Sequence, residues 1–164
     1  MLRATIDVSL IAYAIVLGHA LLRRSSTPPV WVRTLSSIGC LLCMIHIALA
    51  MHFVHHWSHT RAVEHTAQIT EELIGWRFGG GVYFNYLFVL VWFADVVWSW
   101  ADPTGYGRRS RLVGVAVQLY LIFIAVNGAV VFVNGPVRWY GLGVCIVLAG
   151  LLLWKSLQAY PPRE

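Results

Sequence analysis

Five long apolar runs constrain this chain more than anything else in it: Thr5 to Leu22, Val32 to Trp57, Val82 to Trp100, Leu112 to Val133 and Val137 to Leu157. Each approaches or exceeds the roughly 20 residues that a helix needs to cross the hydrocarbon core of a bilayer. Within hydrocarbon every backbone polar group must be paired inside its own segment, so runs of this length and composition read as helices. Only 12% of the residues are charged, where a soluble domain usually carries about 25%. The expected fold is all-α, one integral membrane domain over residues 1–164 built as a bundle of about five spans. Short loops use up the rest of the chain, which leaves no room for a separate soluble catalytic or DNA-binding domain.

The ends of the spans carry ordinary stop signals. The first run closes on Arg23-Arg24-Ser25-Ser26-Thr27-Pro28-Pro29, where charge and paired prolines end a membrane helix. It is expected to be a retained first helix, since Asp7 and His19 interrupt it and no small-residue cleavage site follows. Residues Thr60 to Trp76 are polar, yet Ala62, Ile69, Leu73 and Trp76 recur at helical spacing, which predicts an amphipathic helix between the second and third spans. It either lies in the interface or prolongs the second span. Gly79-Gly80-Gly81 permits a sharp turn, Asp102 to Arg111 reads as a loop, and Asn134-Gly135-Pro136 as a tight turn.

The formal net charge is +5. In this setting the basic residues flank spans, so they read as topology signals and contacts with anionic lipid headgroups, and no nucleic-acid partner is expected. With the N-terminus outside, eight basic residues fall inside (Arg23, Arg24, Arg33, Arg108, Arg109, Arg111, Lys155, Arg163) and four outside (Arg3, Arg61, Arg77, Arg138). The loop-charge rule therefore predicts an N-out, C-in topology, which places the His52–His59 stretch on the outer face, and the expected location is the cell membrane, in a bacterial host the inner membrane.

The second run ends in His52-Phe53-Val54-His55-His56-Trp57-Ser58-His59. If the helix continues through this stretch, His52, His55, His56 and His59 share an arc of about 100 degrees, because 3.6 residues make one turn. Imidazoles at such spacing suit zinc, copper or iron, and two of them from different helices suit haem b. Glu64, His65 and Asp7 are further candidate metal ligands, and Asn85 lies at similar depth. Cys40, Cys43 and His46 repeat at one-turn intervals and offer soft ligands for Cu(I); the same cysteines equally serve as small apolar packing groups.

Ionisable and amide groups inside apolar runs are costly and usually functional. His19, His46, Asp95, Asn85 and Asn127 are the intramembrane polar residues here, and His19 and Asp95, at similar depth, are expected to pair. Glycines 114, 128, 141, 143 and 150 are expected to let helices pack closely. Three functions follow from these residues. The first is transition-metal or haem binding at the outer histidines for redox chemistry or metal handling. The second is an accessory or assembly subunit of a larger membrane complex, or a homo-oligomer. The third is a small proton-coupled transporter using His19, His46, Asp95 and Asn127, for which an internal cavity joining the first three is the structural requirement. None of these names a reaction, and the chain contains no nucleophile elbow, kinase motif or dinucleotide fingerprint.

His52-Phe53-Val54-His55-His56 matches the HxxHH box of membrane fatty-acid desaturases, although that family has three such spaced boxes and His19 and His46 here stand alone in their spans. His55-His56-Trp57-Ser58-His59, Gly79-Gly80-Gly81-Val82-Tyr83-Phe84-Asn85-Tyr86 and Trp92-Phe93-Ala94-Asp95 together resemble a pattern of small multipass bacterial membrane proteins. That resemblance implies a membrane location and brings no activity with it.

Overall fold

The computed structural model describes residues 2–22, 27–133 and 135–158. The basic pair Arg23-Arg24, the turn residue Asn134 and Arg163 lie outside the described residues. The described chain is helical without strands: α1 (Leu2–Leu22), α2 (Val30–Phe53), α3 (His59–Ile74), α4 (Gly81–Ala101), α5 (Pro103–Arg108), α6 (Arg111–Val126), a π-helical turn (Asn127–Val131) and α7 (Pro136–Gln158). Five helical stretches are long and apolar enough to cross a membrane: Arg3–Leu22, Val30–Phe53, Gly81–Ala101, Arg111–Val131 and Arg138–Lys155. Their outward faces carry Ile11, Leu41, Leu90, Leu119, Phe123 and Ile146, all exposed, as a lipid-facing surface requires.

Two differences from the sequence reading matter for function. The second span stops at Phe53, short of Trp57. Val54 and His55 both send their backbone N–H to the Ala50 carbonyl, and His56 and Trp57 then adopt positive φ angles of 51° and 58°. Such a conformation costs about 1–2 kcal/mol per residue without glycine. Local bonds offset it, with Trp57 N donating to the Met51 carbonyl at 2.7 Å and Trp57 Nε1 to His52 Nδ1 at 3.3 Å. The amphipathic segment is therefore a separate helix after a reversal. Ser58 caps it by accepting from Arg61 N at 3.3 Å, and Gly75, at φ 73°, ends it in the left-handed region.

The second difference is α5, in what reads as a loop. Asp102 caps it by accepting from Gly105 N at 2.8 Å, with proline in the first turn.

Lipid tails are as apolar as leucine, so the bundle is held by close packing and interhelical hydrogen bonds more than by exclusion of water. The core cluster is Tyr13, Leu17, Cys40, Cys43, Phe88, Trp92, Val96, Leu121 and Ile124. Ser9 Oγ donates to the Gly39 carbonyl at 2.7 Å, which joins α1 to α2. Trp92 Nε1 donates to Ser36 Oγ at 3.0 Å and Tyr13 Oη to Gln118 Oε1 at 3.2 Å, tying α4 to α2 and α1 to α6. Gly39 is where Trp92 comes closest, since a Cβ there would lie 3.0 Å from the indole. Gly141 likewise admits the Ala129 carbonyl, whereas Gly128, Gly143 and Gly150 face open space and do not serve close packing.

Candidate functional site

At the end of the bundle where α1 and α4 finish and α2 and α6 begin, Asp95 is held from both sides. Arg109 Nη1 donates to its Oδ1 at 2.5 Å and Tyr106 Oη to its Oδ2 at 2.9 Å. The Arg109 guanidinium also lies 4.0 Å above the Tyr106 ring. Burial first, and then the Asp95 carboxylate, push the Tyr106 hydroxyl well above the usual tyrosine range, so it remains a donor. The expected partner, His19, instead packs edge-on against Trp31 at 4.9 Å between centroids. The reason is α5: its cap carries Tyr106 and Arg109 back over the end of α4, where they occupy both carboxylate oxygens.

These groups line a cavity of about 200 Å³ that also takes in His19, Arg33, Ser36, Trp92, Ser99 and Gln118. Arg33 Nη1 donates to the Ser99 carbonyl at 3.1 Å, and its guanidinium sits 4.6 Å over the Trp100 ring. Among the described residues no carboxylate pairs with Arg33, and its Nε–H is buried without a hydrogen-bond partner. Two arginines thus face one aspartate in this space.

The opposite end holds a larger cavity of about 760 Å³, lined among others by Arg3, Cys43, His46, Met51, His55, His65, Thr66, Asn85 and Tyr86. His46 Nδ1 lies 3.3 Å from the Thr5 hydroxyl. The His55 and His65 rings are 5.5 Å apart. Burial first, and then the neighbouring His65, lower the pKa of His55. Among the described residues no acidic side chain lines this cavity.

The four-histidine stripe does not form, because α2 ends before His55 and the left-handed turn fans the rings apart. His52 packs on Phe53 and accepts from Trp57. His56 is exposed in the turn. His59 has its two ring nitrogens 3.1 Å and 3.4 Å from the hydroxyls of Tyr83 and Tyr86. Glu64 is bonded to Arg77, which also donates to Glu71 at 2.8 Å. Asp7 lines a different, lipid-facing groove. Among the described residues no three His, Cys, Asp or Glu side chains group closely enough to hold a metal ion. Asn127 is turned onto its own helix, donating to the Phe123 carbonyl at 2.7 Å.

These two cavities approach each other across one layer of the core. Phe88 lines the histidine-end cavity and Trp92 the aspartate-end cavity, and their rings touch edge to face at 5.5 Å. Ile124 and Leu121 stand in the same relation one turn apart on α6. His19 and Asp95 therefore share a cavity, but His46 lies beyond the septum in the other, so the single cavity expected to join all three is not formed among the described residues. Arg33, Arg109, Tyr106 and Trp92 were not singled out from the sequence as site residues. The Asp102-Pro103 cap is the signal that would have folded the stretch after α4 back onto Asp95.

Comparison of the chain with known protein families, with curated proteins and with solved structures finds no match.

Proposed function

We propose that this chain is a small carrier of a bacterial cytoplasmic membrane that moves a small anion through the aromatic septum. The observation that carries the reading is the pair of cavities, each with a few ionisable side chains in a mainly apolar wall, that meet the Phe88–Trp92 layer from opposite sides. Ionisable groups within membrane spans are costly and are a functional-site hypothesis by default. The sign follows from the lining. One cavity holds Arg33 and Arg109 against Asp95, and the other holds Arg3 and three histidines and, among the described residues, no acid. The buried Nε–H of Arg33 is a donor that an anion in the smaller cavity would satisfy.

Size follows from volume. At the roughly 30 Å³ that a water occupies in the liquid, the smaller cavity takes a solute of about seven non-hydrogen atoms. Inorganic oxyanions and short carboxylates fall in that range. Protonating His55 adds positive charge to the larger cavity, so anion binding there tightens as a proton binds, which is the linkage a proton-coupled carrier requires. By the loop-charge rule the aspartate end faces the cytoplasm.

The test is uptake into liposomes reconstituted with the purified chain, under an imposed proton gradient, using labelled formate, oxalate, chloride and phosphate in turn. Saturable uptake of one of them is expected, at least tenfold lower in Arg33→Gln. Uptake no greater than in protein-free liposomes for all four would overturn the reading.

A further inference from the structure

A third space lies on the lipid-facing side of the bundle, a groove of about 430 Å³ between α1, the end of α6 and α7. Its walls are almost wholly apolar, and they include Leu17, Val144 and Leu148. Arg3, Ile6, Leu10, Ala125, Gly128 and Val133 line both this groove and the histidine-end cavity, so the two spaces share one wall. Gly128 belongs to the π-helical turn, and no atom lies within 4 Å of where its Cβ would stand. The histidine-end cavity and the groove thus adjoin at Gly128, which places no side chain between them.

We propose that this junction is a binding site for a single-chain amphiphile with a carboxylate head, a long-chain fatty acid drawn from the bilayer. The chain would lie in the groove and the head at Arg3. Charge decides where the head sits. Asp7 lines the groove alone, whereas His46, His55 and His65 line the cavity alone and Arg3 lines both. A carboxylate is repelled from the groove side and drawn to the cavity side of Arg3. Volume sets the tail: a methylene is of similar bulk to a water, so at roughly 30 Å³ each the groove accepts about fourteen carbons, one chain and not two. The inference does not depend on the carrier reading, because binding is measured without a gradient.

The probe is cis-parinaric acid, a fluorescent long-chain carboxylate, titrated into the full-length protein in detergent. Saturable binding at one probe per chain is expected, displaced by oleate and not by equal phosphatidylglycerol in mixed micelles. Gly128→Leu fills the junction from open space, so it is expected to bind at least tenfold more weakly at an unchanged melting temperature. Gly143→Leu adds the same side chain at another open position, outside the groove lining, and is expected to bind as wild type. Arg3→Gln is expected to weaken binding about fivefold. Absence of saturable binding, wild-type affinity in Gly128→Leu, or equal loss in Gly143→Leu would overturn the site, and displacement by phosphatidylglycerol as effective as by oleate would overturn the single-chain assignment.

Discussion

The two ends of this bundle are built on opposite electrostatic terms. At the aspartate end a carboxylate is held by a guanidinium and a phenol, with the side chains of Arg109 and Asp95 only 16% and 11% exposed. At the histidine end the polar groups are mostly imidazole rings in longer contacts with hydroxyls, such as His46 with Thr5 at 3.3 Å and His59 with Tyr83 at 3.1 Å. Charge-assisted bonds at partly buried sites are stronger and less tolerant of a missing partner than neutral ones. One end is thereby fixed in shape, and the other is held by weaker contacts.

That contrast can be broken by single substitutions in one assay. Arg109→Ala takes from Asp95 the guanidinium that is ion-paired with it, and thermal unfolding in detergent is expected to register a loss of about 3 kcal/mol. Adding Asp95→Asn is expected to recover part of it. His59→Phe, which removes the ring's hydroxyl contacts at the other end, is expected to cost about 1 kcal/mol or less. Equal losses from the two single variants would mean that the ends do not differ in the way described.

A smaller effect sharpens the contrast through pH. Burial and His65 lower the pKa of His55 in the folded chain. Between the folded and unfolded values the unfolded chain binds more protons. The contribution of His55 to stability is therefore full above about pH 6.5, and it is lost as pH falls toward the folded value. Mild acidification is expected to lower amide protection factors, corrected for the slower intrinsic exchange at lower pH, at the α2–α3 junction before it lowers them in α5. His65→Ala relieves only the lesser cause, so it is expected to move the onset part of the way. If α5 loses protection first, the histidine end is not the titrating end.

The spans were legible because hydrophobicity over about 20 residues is enough to identify a membrane helix. The amphipathic character of α3 was legible for a similar reason, with Ala62 and Ala67 buried while Glu64, Gln68 and Glu71 are exposed. The end of α2 was not legible. His52, His55, His56 and His59 fit a helical period, and nothing between Phe53 and Ser58 is a glycine or proline that would announce a left-handed turn. A period shared by four residues shows what a helix would do with them; it does not show that the helix continues. The partner of Asp95 was missed because depth along a span was used to match it with His19, whereas Arg109 arrives from a short helix whose only local signal is the Asp102-Pro103 cap. The septum was invisible for a deeper reason: Phe88, Trp92, Leu121 and Ile124 look like any other core residues until two cavities are found on either side of them.

The central claim is that α2 meets water from opposite sides of the membrane at two points about ten residues, or roughly 15 Å, apart along its axis. It is tested most directly by Ser36→Cys and His46→Cys, each in a background carrying Cys40→Ala, Cys43→Ala and Cys145→Ala, with a membrane-impermeant thiol reagent applied to one side of sealed vesicles at a time. The account predicts that Ser36→Cys labels from one side only and His46→Cys from the other only. Labelling of both positions from the same side, or of neither from any side, would contradict it.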